Sequence, residues 1–303
     1  MTDKKNIKVN NIDDETRIDR WLKRRFPLLT QSFIENKLRR GLIKINQKKV
    51  KSNYQVLAGD VINISKFSEK IFSTIKITKT KKFVPKEIFS IFKSSIIYES
   101  LDFMIINKWT GISVQGASKK EISIDDIINK ISNNFSLVHR LDKETSGLLI
   151  IAKNYKAAKA FGKLFRDHKI EKTYFAICHG IPRNLSSIVK LKINNKKSNK
   201  NLQTITKYKV VNRSNQISLI FYKPLTGKTH QLRIVSKYLN CPIIGDSKYG
   251  NSNKFLKEQL MLNAFYLQFT FKNHQYKFSS ILPKNILKFM KRINLTFPND
   301  EKI

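Results

Sequence analysis

The sequence contains few cysteines, few acidic residues and no long apolar run. Its two cysteines, Cys178 and Cys241, belong to no CxxC or Cys/His cluster, which excludes a cysteine-based zinc module and a disulfide scaffold. Residues 1–10 are charged and contain no apolar stretch, so we expect no signal peptide. The longest apolar runs, such as residues 148–152, have the length of a core strand and are too short to span a membrane. We therefore expect a soluble, cytoplasmic protein.

The scarcity of acidic residues leaves a large positive charge. The 303 residues include 59 Lys and Arg against 22 Asp and Glu, which gives a formal net charge of +37. Such a surplus repels itself unless a polyanion is bound, so it indicates nucleic acid first and an anionic membrane surface second. Because 41% of the residues are hydrophobic and 11% are aromatic, a wholly disordered basic tail is excluded. The length predicts about two domains.

The hydrophobic pattern divides the chain into two domains joined by a linker. Residues 14–65 predict a small α/β domain, in which two short helices lead into a small sheet. Residues 66–92 mix basic and β-branched residues without a clear period, which is typical of a linker. Residues 93–295 contain many strand-like segments and few helical ones, so they predict an α+β domain rather than a doubly wound one.

A run of charged residues directly precedes a strand that is predicted to be buried. In an extended conformation Arg140 and Asp142 point to the same side, while His139 and Leu141 point to the other. A carboxylate that is held ionised by guanidinium groups at the end of a sheet can act as a nucleophile or as a base. The same two residues can instead form a structural ion pair that opens a turn, and the pattern alone favours this structural interpretation.

Three further residues have chemistry that fits a functional site. Arg233 falls in the first turns of a predicted helix, where it can bind a carboxylate or a phosphate, or belong to a solvated basic face. His230 lies just before it, and a lone histidine is more often a hydrogen-bonding residue than a catalyst. The ring of Tyr174 can stack on a base, although a tyrosine in a strand usually belongs to the core. The sequence contains no P-loop, GxGxxG turn or HExxH motif.

Taken together, these segments resemble the signature of the RluA-type pseudouridine synthases. The motifs occur in family order and span most of the second domain. They are Asn107-Lys108, His139-Arg140-Leu141-Asp142, Lys172-Thr173-Tyr174, Gly227-Lys228-Thr229-His230-Gln231-Leu232-Arg233 and Pro242-Ile243-Ile244-Gly245-Asp246. Residues 16–65 resemble an S4 RNA-binding domain. An S4 domain ahead of this catalytic domain looks like the large-ribosomal-subunit enzymes of the C and D types, and we favour the C type.

The resemblance implies an α+β fold with a mixed, mainly antiparallel sheet, and an enzyme that converts uridines of 23S ribosomal RNA to pseudouridine. It implies that the target uridine is flipped out of its stack, and that the uracil detaches, rotates and rejoins the ribose through C5. No cofactor or metal is implied. By the same resemblance Asp142 is the nucleophile or base, Arg233 is its cationic partner, and Tyr174 stacks on the base. Arg140 is expected to help to flip the base.

Other basic residues are expected to bind the RNA. They are Arg17, Lys37, Arg39, Arg40, Lys48 and Lys49 in the S4-like domain, and His230 in the second domain. The expected partner is 23S ribosomal RNA or a large-subunit assembly intermediate, and no feature indicates an oligomer, so we expect a monomer. The chain departs from the family pattern at Trp109, Lys228 and Ser236, where proline, arginine and histidine are usual. We expect these departures to alter substrate contacts rather than chemistry.

Two rival functions would use the same basic surface. A non-catalytic RNA-binding or ribosome-assembly factor has no need for a carboxylate that faces a polyanion, so the intact set of Asp142, Tyr174 and Arg233 favours an enzyme. A DNA-binding protein is disfavoured because the pattern contains no paired recognition helix and because the first domain resembles S4.

Overall fold

The structure is a computed structural model that describes residues 4–72, 82–116, 121–195, 200–250, 255 and 257–297. The chain separates into two compact units, Met1–Lys81 and Lys82–Ile303. None of the helices in these described ranges is long and apolar enough to cross a membrane.

The first unit contains a three-stranded sheet, a two-stranded sheet and two helices. Its elements, in chain order, are β1 (Lys4–Lys8), a 3₁₀ helix (Asn11–Asp13), β2 (Thr16–Arg17), α1 (Ile18–Arg25), α2 (Gln31–Arg39), β3 (Ile43–Ile45), β4 (Gln55–Val56) and β5 (Val61–Ser65). The apolar residues that repeat at helical spacing, Ile18, Trp21 and Leu22, are all buried. The side chain of Thr30 accepts a hydrogen bond from the backbone of Phe33 and so caps α2. The small α/β domain predicted from the sequence is therefore present.

The second unit is built on a large mixed sheet. Its elements, in chain order, are α3 (Lys86–Ser94), β6 (Ile96–Glu99), β7 (Phe103–Lys108), α4 (Ile124–Ile131), β8 (Ser136–Leu137), β9 (Ser146–Ala152), α5 (Tyr155–Arg166), β10 (Glu171–His179), β11 (Ser186–Asn195), β12 (Lys200–Ser214), β13 (Ile217–Pro224), α6 (Gln231–Tyr238), β14 (Leu262–Phe271), β15 (His274–Ser279) and α7 (Lys284–Arg292).

The sheet of the second unit is mainly antiparallel. The order of hydrogen-bonded strands is β11-β12-β13-β10-β14-β9-β7-β6, with β15 beside β14 and β8 beside β9. Only β9 and β14 run parallel among the described strand pairs. Every residue of β9 is buried, as its continuous apolar run predicts. The predicted α+β fold with a mixed, mainly antiparallel sheet is thus confirmed.

The structure differs from the sequence prediction near the start of the second unit. The linker predicted for residues 66–92 includes residues 86–92, but these belong to α3, which buries Phe92. Pro85 is the N-cap residue of this helix, a position at which the missing N–H of proline costs no helical hydrogen bond. A proline that is compatible with a helix start was therefore mistaken for a linker residue. Residues 73–81 of the predicted linker lie outside the described residues.

A buried lysine fixes the loop that precedes β9. Lys108, at the end of β7, is only 1% exposed. Its ammonium donates hydrogen bonds to the carbonyls of Trp109 at 2.9 Å, Ile112 at 3.1 Å and Lys143 at 3.1 Å. Because Lys143 directly follows Asp142, these bonds tie the Asp142 loop to the end of a neighbouring strand.

Gly147 lets β9 approach β14 more closely than any side chain would allow. Its φ is +109°, and a Cβ built at this position would lie 2.4 Å from the carbonyl oxygen of Ala264. The Ala264 backbone cannot move aside without disturbing the only parallel strand pair of the described sheet. Gly147 therefore fixes the end of the Asp142 loop through a contact between two backbones.

We expect Gly147→Ala to lower the free energy of unfolding by more than about 4 kcal/mol, because it combines backbone strain with a backbone clash. Gly111→Ala is the matched control, since Gly111 also has a positive φ of +85° but a Cβ there would meet nothing within 4 Å. The control should cost about 1–2 kcal/mol of backbone strain. Urea denaturation followed by circular dichroism measures both losses, and equal losses would contradict the close-approach argument.

Candidate active site

A cleft of about 430 Å³ in the second unit contains all the residues that were predicted to be catalytic. It is formed by the loop between β8 and β9, the first half of β10, the end of β13 and the start of α6. Asp142, Tyr174 and Arg233 line it, together with Arg140 and His230. Asp142 and Arg233, which are about ninety positions apart in the chain, therefore meet at one site.

Asp142 is held by its backbone rather than by its carboxylate. The backbone N–H of Thr145 donates to the carbonyl of Asp142 at 3.1 Å, which closes the turn before β9. The side chain of Asp142 is 20% exposed and faces the cleft. Its Oδ2 lies 3.9 Å from Nε2 of His230, and its carboxylate accepts no hydrogen bond from the described residues. The carboxylate is therefore available to a molecule that enters the cleft.

The ion pair of Arg233 is with Asp246 and not with Asp142. Nε of Arg233 donates to Oδ2 of Asp246 at 2.8 Å and its Nη2 donates to Oδ1 at 2.6 Å, a bidentate pair. Arg233 is 7% exposed and Asp246 is 2% exposed. The expected pairing with Asp142 is thus corrected. The reason is tertiary, because the turn that follows α6 brings Asp246 back onto the helix.

Arg233 of this ion pair also interacts electrostatically with Asp142. Burial opposes the charge on both partners, but their mutual hydrogen bonds prevail, raising the pKa of Arg233 and lowering the pKa of Asp246. The negative charge of Asp142 also raises the pKa of Arg233. Burial lowers the pKa of Lys108 to about 7, and the negative charges of Glu144 and Asp142 oppose this shift. Asp142 is therefore within the field of Arg233 and of the protonated form of Lys108, and neither side chain binds it.

His230 occupies a constrained position between Asp142 and Tyr249. It is the N-cap residue of α6 and adopts a left-handed backbone with φ of 55°. Its Nδ1 lies 3.1 Å from the hydroxyl of Tyr249, which leaves Nε2 facing Asp142. Burial lowers the pKa of His230, whereas Asp142 opposes that shift. The structure places His230, predicted as an RNA contact, beside the carboxylate.

Tyr174 enters the cleft from an irregular point in the sheet. The register between β10 and β14 shifts between Thr173 and Phe175, so that Tyr174 lies at a β-bulge. Bulges re-aim side chains next to active sites. Burial raises the pKa of the Tyr174 phenol, and the negative charge of Asp142 adds to the shift. Its hydroxyl therefore keeps its proton at neutral pH, and its ring is a half-buried wall of the cleft.

The residues of the charged run before β9 have different environments, and the predicted alternation is not resolved because all four, His139, Arg140, Leu141 and Asp142, line the cleft. Arg140 is exposed and lines the cleft with Asp142. The ring of His139 packs against Phe165, with centroids 4.8 Å apart, and its Nε2 accepts a hydrogen bond from the backbone of Ile150 at 2.9 Å. Burial lowers the pKa of His139 to about 3. His139 is therefore a neutral structural residue.

Ser236, one of the departures from the family pattern, lies in the core and not at the expected substrate contact. Ser236 is fully buried, and its hydroxyl hydrogen-bonds to that of Tyr222 at 2.8 Å and to the carbonyl of Leu232 at 2.9 Å. It belongs to the core behind α6, so the prediction of an altered substrate contact is wrong there. Lys228, by contrast, lines the cleft.

The basic residues of the first unit that were predicted to bind RNA differ in their environments. Arg17 forms an ion pair with Asp19 at 2.6 Å, and the ammonium of Lys37 lies 5.1 Å from the centre of the Phe33 ring. The remaining four are exposed, namely Arg39, Arg40, Lys48 and Lys49. In the described ranges, no three His, Cys, Asp or Glu side chains come together as metal ligands would.

Sequence reasoning gave no individual role to several residues that shape the cleft. They are Lys108, Lys172, Asp246 and Tyr249. The first three lie in the quoted motifs and Tyr249 lies three residues after the last of them, which is a weak signal of position. Spacing along the chain does not reveal which atoms they contact.

Comparison with known proteins identifies both units. A model of the RNA pseudouridylate synthase family matches residues 102–238, and a model of the S4 domain matches residues 16–62. The ribosomal large subunit pseudouridine synthase C of Rickettsia bellii is 38% identical to this chain, over 78% of the chain and 83% of the relative. The protein of the same name from Rickettsia prowazekii is 36% identical, over 90% of the chain and 96% of the relative.

The fold has a counterpart among solved structures. Human RNA pseudouridylate synthase domain containing 4 aligns with a TM-score of 0.61 at 24% identity, over 70% of this chain and 98% of that one. This likeness concerns the fold, whereas the bacterial relatives match the sequence over most of its length. The chain belongs to the RNA pseudouridylate synthase family and carries an S4 domain near its N-terminus.

Proposed function

We propose that this pseudouridine synthase isomerises uridines of 23S ribosomal RNA, as an enzyme of the C type. The observation that carries the proposal is the Asp142 carboxylate, which accepts no hydrogen bond from the described residues and shares one cleft with the Tyr174 ring and the buried Arg233. The cleft of about 430 Å³ lies within the range of ligand pockets that hold small organic molecules. The names of the bacterial relatives support the choice of RNA. The enzyme acts in the cytoplasm as a monomer, on the RNA or on a large-subunit assembly intermediate.

The cleft residues have distinct roles in this proposal. The target uridine leaves its stack, because its glycosidic bond is otherwise inaccessible, and Arg140 at the rim takes part in that step. Tyr174 stacks on the base through its neutral ring. Asp142 acts as nucleophile or base while the bond between C1′ and N1 breaks and the bond between C1′ and C5 forms. The proton lost from C5 balances the proton gained at N1, so no oxidant or other co-substrate is required.

The surroundings of Asp142 suit this role. An ionised carboxylate is stabilised by nearby cations, and Arg233 and Lys108 both respond to its charge. Since neither cation binds the carboxylate directly, its oxygens stay free to attack or to accept a proton. His230 borders the same carboxylate and is itself held by Tyr249, so it orients Asp142 in addition to any contact with RNA.

In this proposal the first unit supplies affinity for the RNA. The first unit, which contains residues 14–65, is the RNA-binding domain, and the second unit, which contains residues 93–295 and all of α3, is the catalytic domain. Arg17, Lys37 and the exposed basic residues of the first unit contact the phosphate backbone; the latter are Arg39, Arg40, Lys48 and Lys49. Phosphate contacts position an RNA without reading its sequence, so the choice of uridine rests on contacts inside the cleft.

Mapping pseudouridines at single-nucleotide resolution tests the function. Large-subunit ribosomal RNA from cells that lack the gene should lose discrete pseudouridines, and the purified protein should restore them in a transcript. An unchanged ribosomal map together with activity on transfer RNA would overturn the choice of substrate. A purified protein that binds RNA but modifies none would overturn the enzyme itself in favour of a binding factor.

Asp142→Asn should abolish product formation while leaving folding and binding intact. We expect the rate to fall roughly 10⁴-fold or more, as for other nucleophiles that are removed. Since the carboxylate accepts no hydrogen bond from the described residues, stability should change by less than about 0.5 kcal/mol. Single-turnover assays and RNA-binding titrations measure the two effects, and substantial turnover by the variant would refute the role of Asp142.

Asp246→Asn is the contrasting variant, because it leaves Arg233 buried without a counter-charge. We expect a loss of about 3–5 kcal/mol of stability together with a loss of activity. The folded pKa of Asp246 lies below its ordinary value of 3.8. The contribution of its charge is therefore complete above that value and is lost as the pH falls through the folded pKa. Urea denaturation at pH 7 and at pH 3 should give a smaller difference between variant and parent at pH 3.

A further inference from the structure

Lys172 is a half-buried lysine of the candidate active site. It lies in β10, two residues before Tyr174, and lines the same cleft. Its Nζ lies 4.0 Å from the position that a Cβ on Gly227 would occupy, so the ammonium lies against the backbone at the cleft wall. It forms no ion pair and no hydrogen bond with any residue that the structure describes.

A partly buried charge without a partner costs free energy of folding. Arg233 and Lys108, which are also buried, both have partners. Arg233 is neutralised by Asp246, and Lys108 donates to three carbonyls. Burial lowers the pKa of Lys172, and no carboxylate compensates for it. A partly desolvated charge without a partner opposes folding, so its presence in a cleft points to a ligand that supplies the missing charge.

The composition of the cleft indicates the charge of that ligand. Five Lys and Arg side chains line it, namely Arg140, Arg166, Lys172, Lys228 and Arg233, against the single carboxylate of Asp142 among its described residues. A cleft with this excess of cationic side chains favours an anionic ligand.

We propose that Lys172 binds a backbone phosphate of the RNA segment that carries the target uridine. The assignment rests on the proposed function of the cleft. An RNA strand that places one nucleotide in the cleft must bring its flanking phosphates to the cleft wall, and an ammonium binds phosphate as a point charge. The bound phosphate supplies the counter-charge that the folded protein lacks.

The test compares Lys172→Met with Lys172→Arg, and uses Lys190→Met as the control. Lys190 is an exposed lysine on β11 that does not line the cleft. The substrate is a 23S ribosomal RNA transcript that carries tritium at uridine C5. The enzyme concentration for half-maximal single-turnover product formation is measured at several KCl concentrations, and direct binding of the same transcript is measured in parallel.

We expect Lys172→Met to raise the half-maximal concentration roughly tenfold to a hundredfold at low salt, as for the loss of one charged hydrogen bond. The slope of log affinity against log salt should fall by about 0.7–0.9, which corresponds to one phosphate contact. Lys172→Arg should retain both the affinity and the slope, because it keeps the charge. The control should behave like the parent.

Stability separates this role from a structural one. Lys172→Met removes an unpaired charge from a partly buried site, so its Tm should equal or exceed that of the parent. A lowered Tm, an unchanged salt slope, or a loss of rate in Lys172→Arg with unaltered affinity would each overturn the proposal, the last in favour of proton transfer. If the parent forms no product, the proposed function fails, while the salt slope of direct binding still decides the role of Lys172.

Discussion

The bidentate pair between Arg233 and Asp246 is the contact on which the arrangement of the cleft depends. It joins the first turns of α6 to the turn that follows the helix, and the backbone N–H groups of Lys248 and Tyr249 donate to the same carboxylate. Tyr249 is thereby brought against His230, and His230 against Asp142. Because the buried guanidinium is satisfied by Asp246, it acts on Asp142 through its field and leaves that carboxylate unbound.

Backbone contacts complete this arrangement from the other side. Lys108 binds the carbonyl of Lys143, and Gly147 lies directly against the backbone of Ala264. The segment that follows Asp142 is therefore held at two points, Lys143 and Gly147, by groups that do not take part in the proposed reaction. The backbone of Asp142 is fixed while its carboxylate accepts no hydrogen bond from the described residues, which is the combination that the proposed nucleophile or base requires.

The sequence predicted those features that local pattern determines. The charged run before β9 was placed correctly beside a functional cleft, and the apolar run of residues 148–152 gave a buried strand. The pairing of Arg233 could not be predicted, because two carboxylates were available to it and only the path of the chain after α6 decides between them. The helix at residues 86–94 was missed because Pro85 is compatible with either a linker or a helix start. The isolation of Lys172 is a tertiary property that no spacing reveals.

The contact at Gly147 has a consequence for how such an enzyme can diversify. Where two backbones touch, no side chain adjusts the distance, so the location of the carboxylate is inherited with the sheet itself. The cleft wall, in contrast, consists of side chains such as Lys172 and Lys228 that substitution can change singly. Under the proposed function, a substitution on the cleft wall can therefore change how the RNA is held while the location of the carboxylate stays the same.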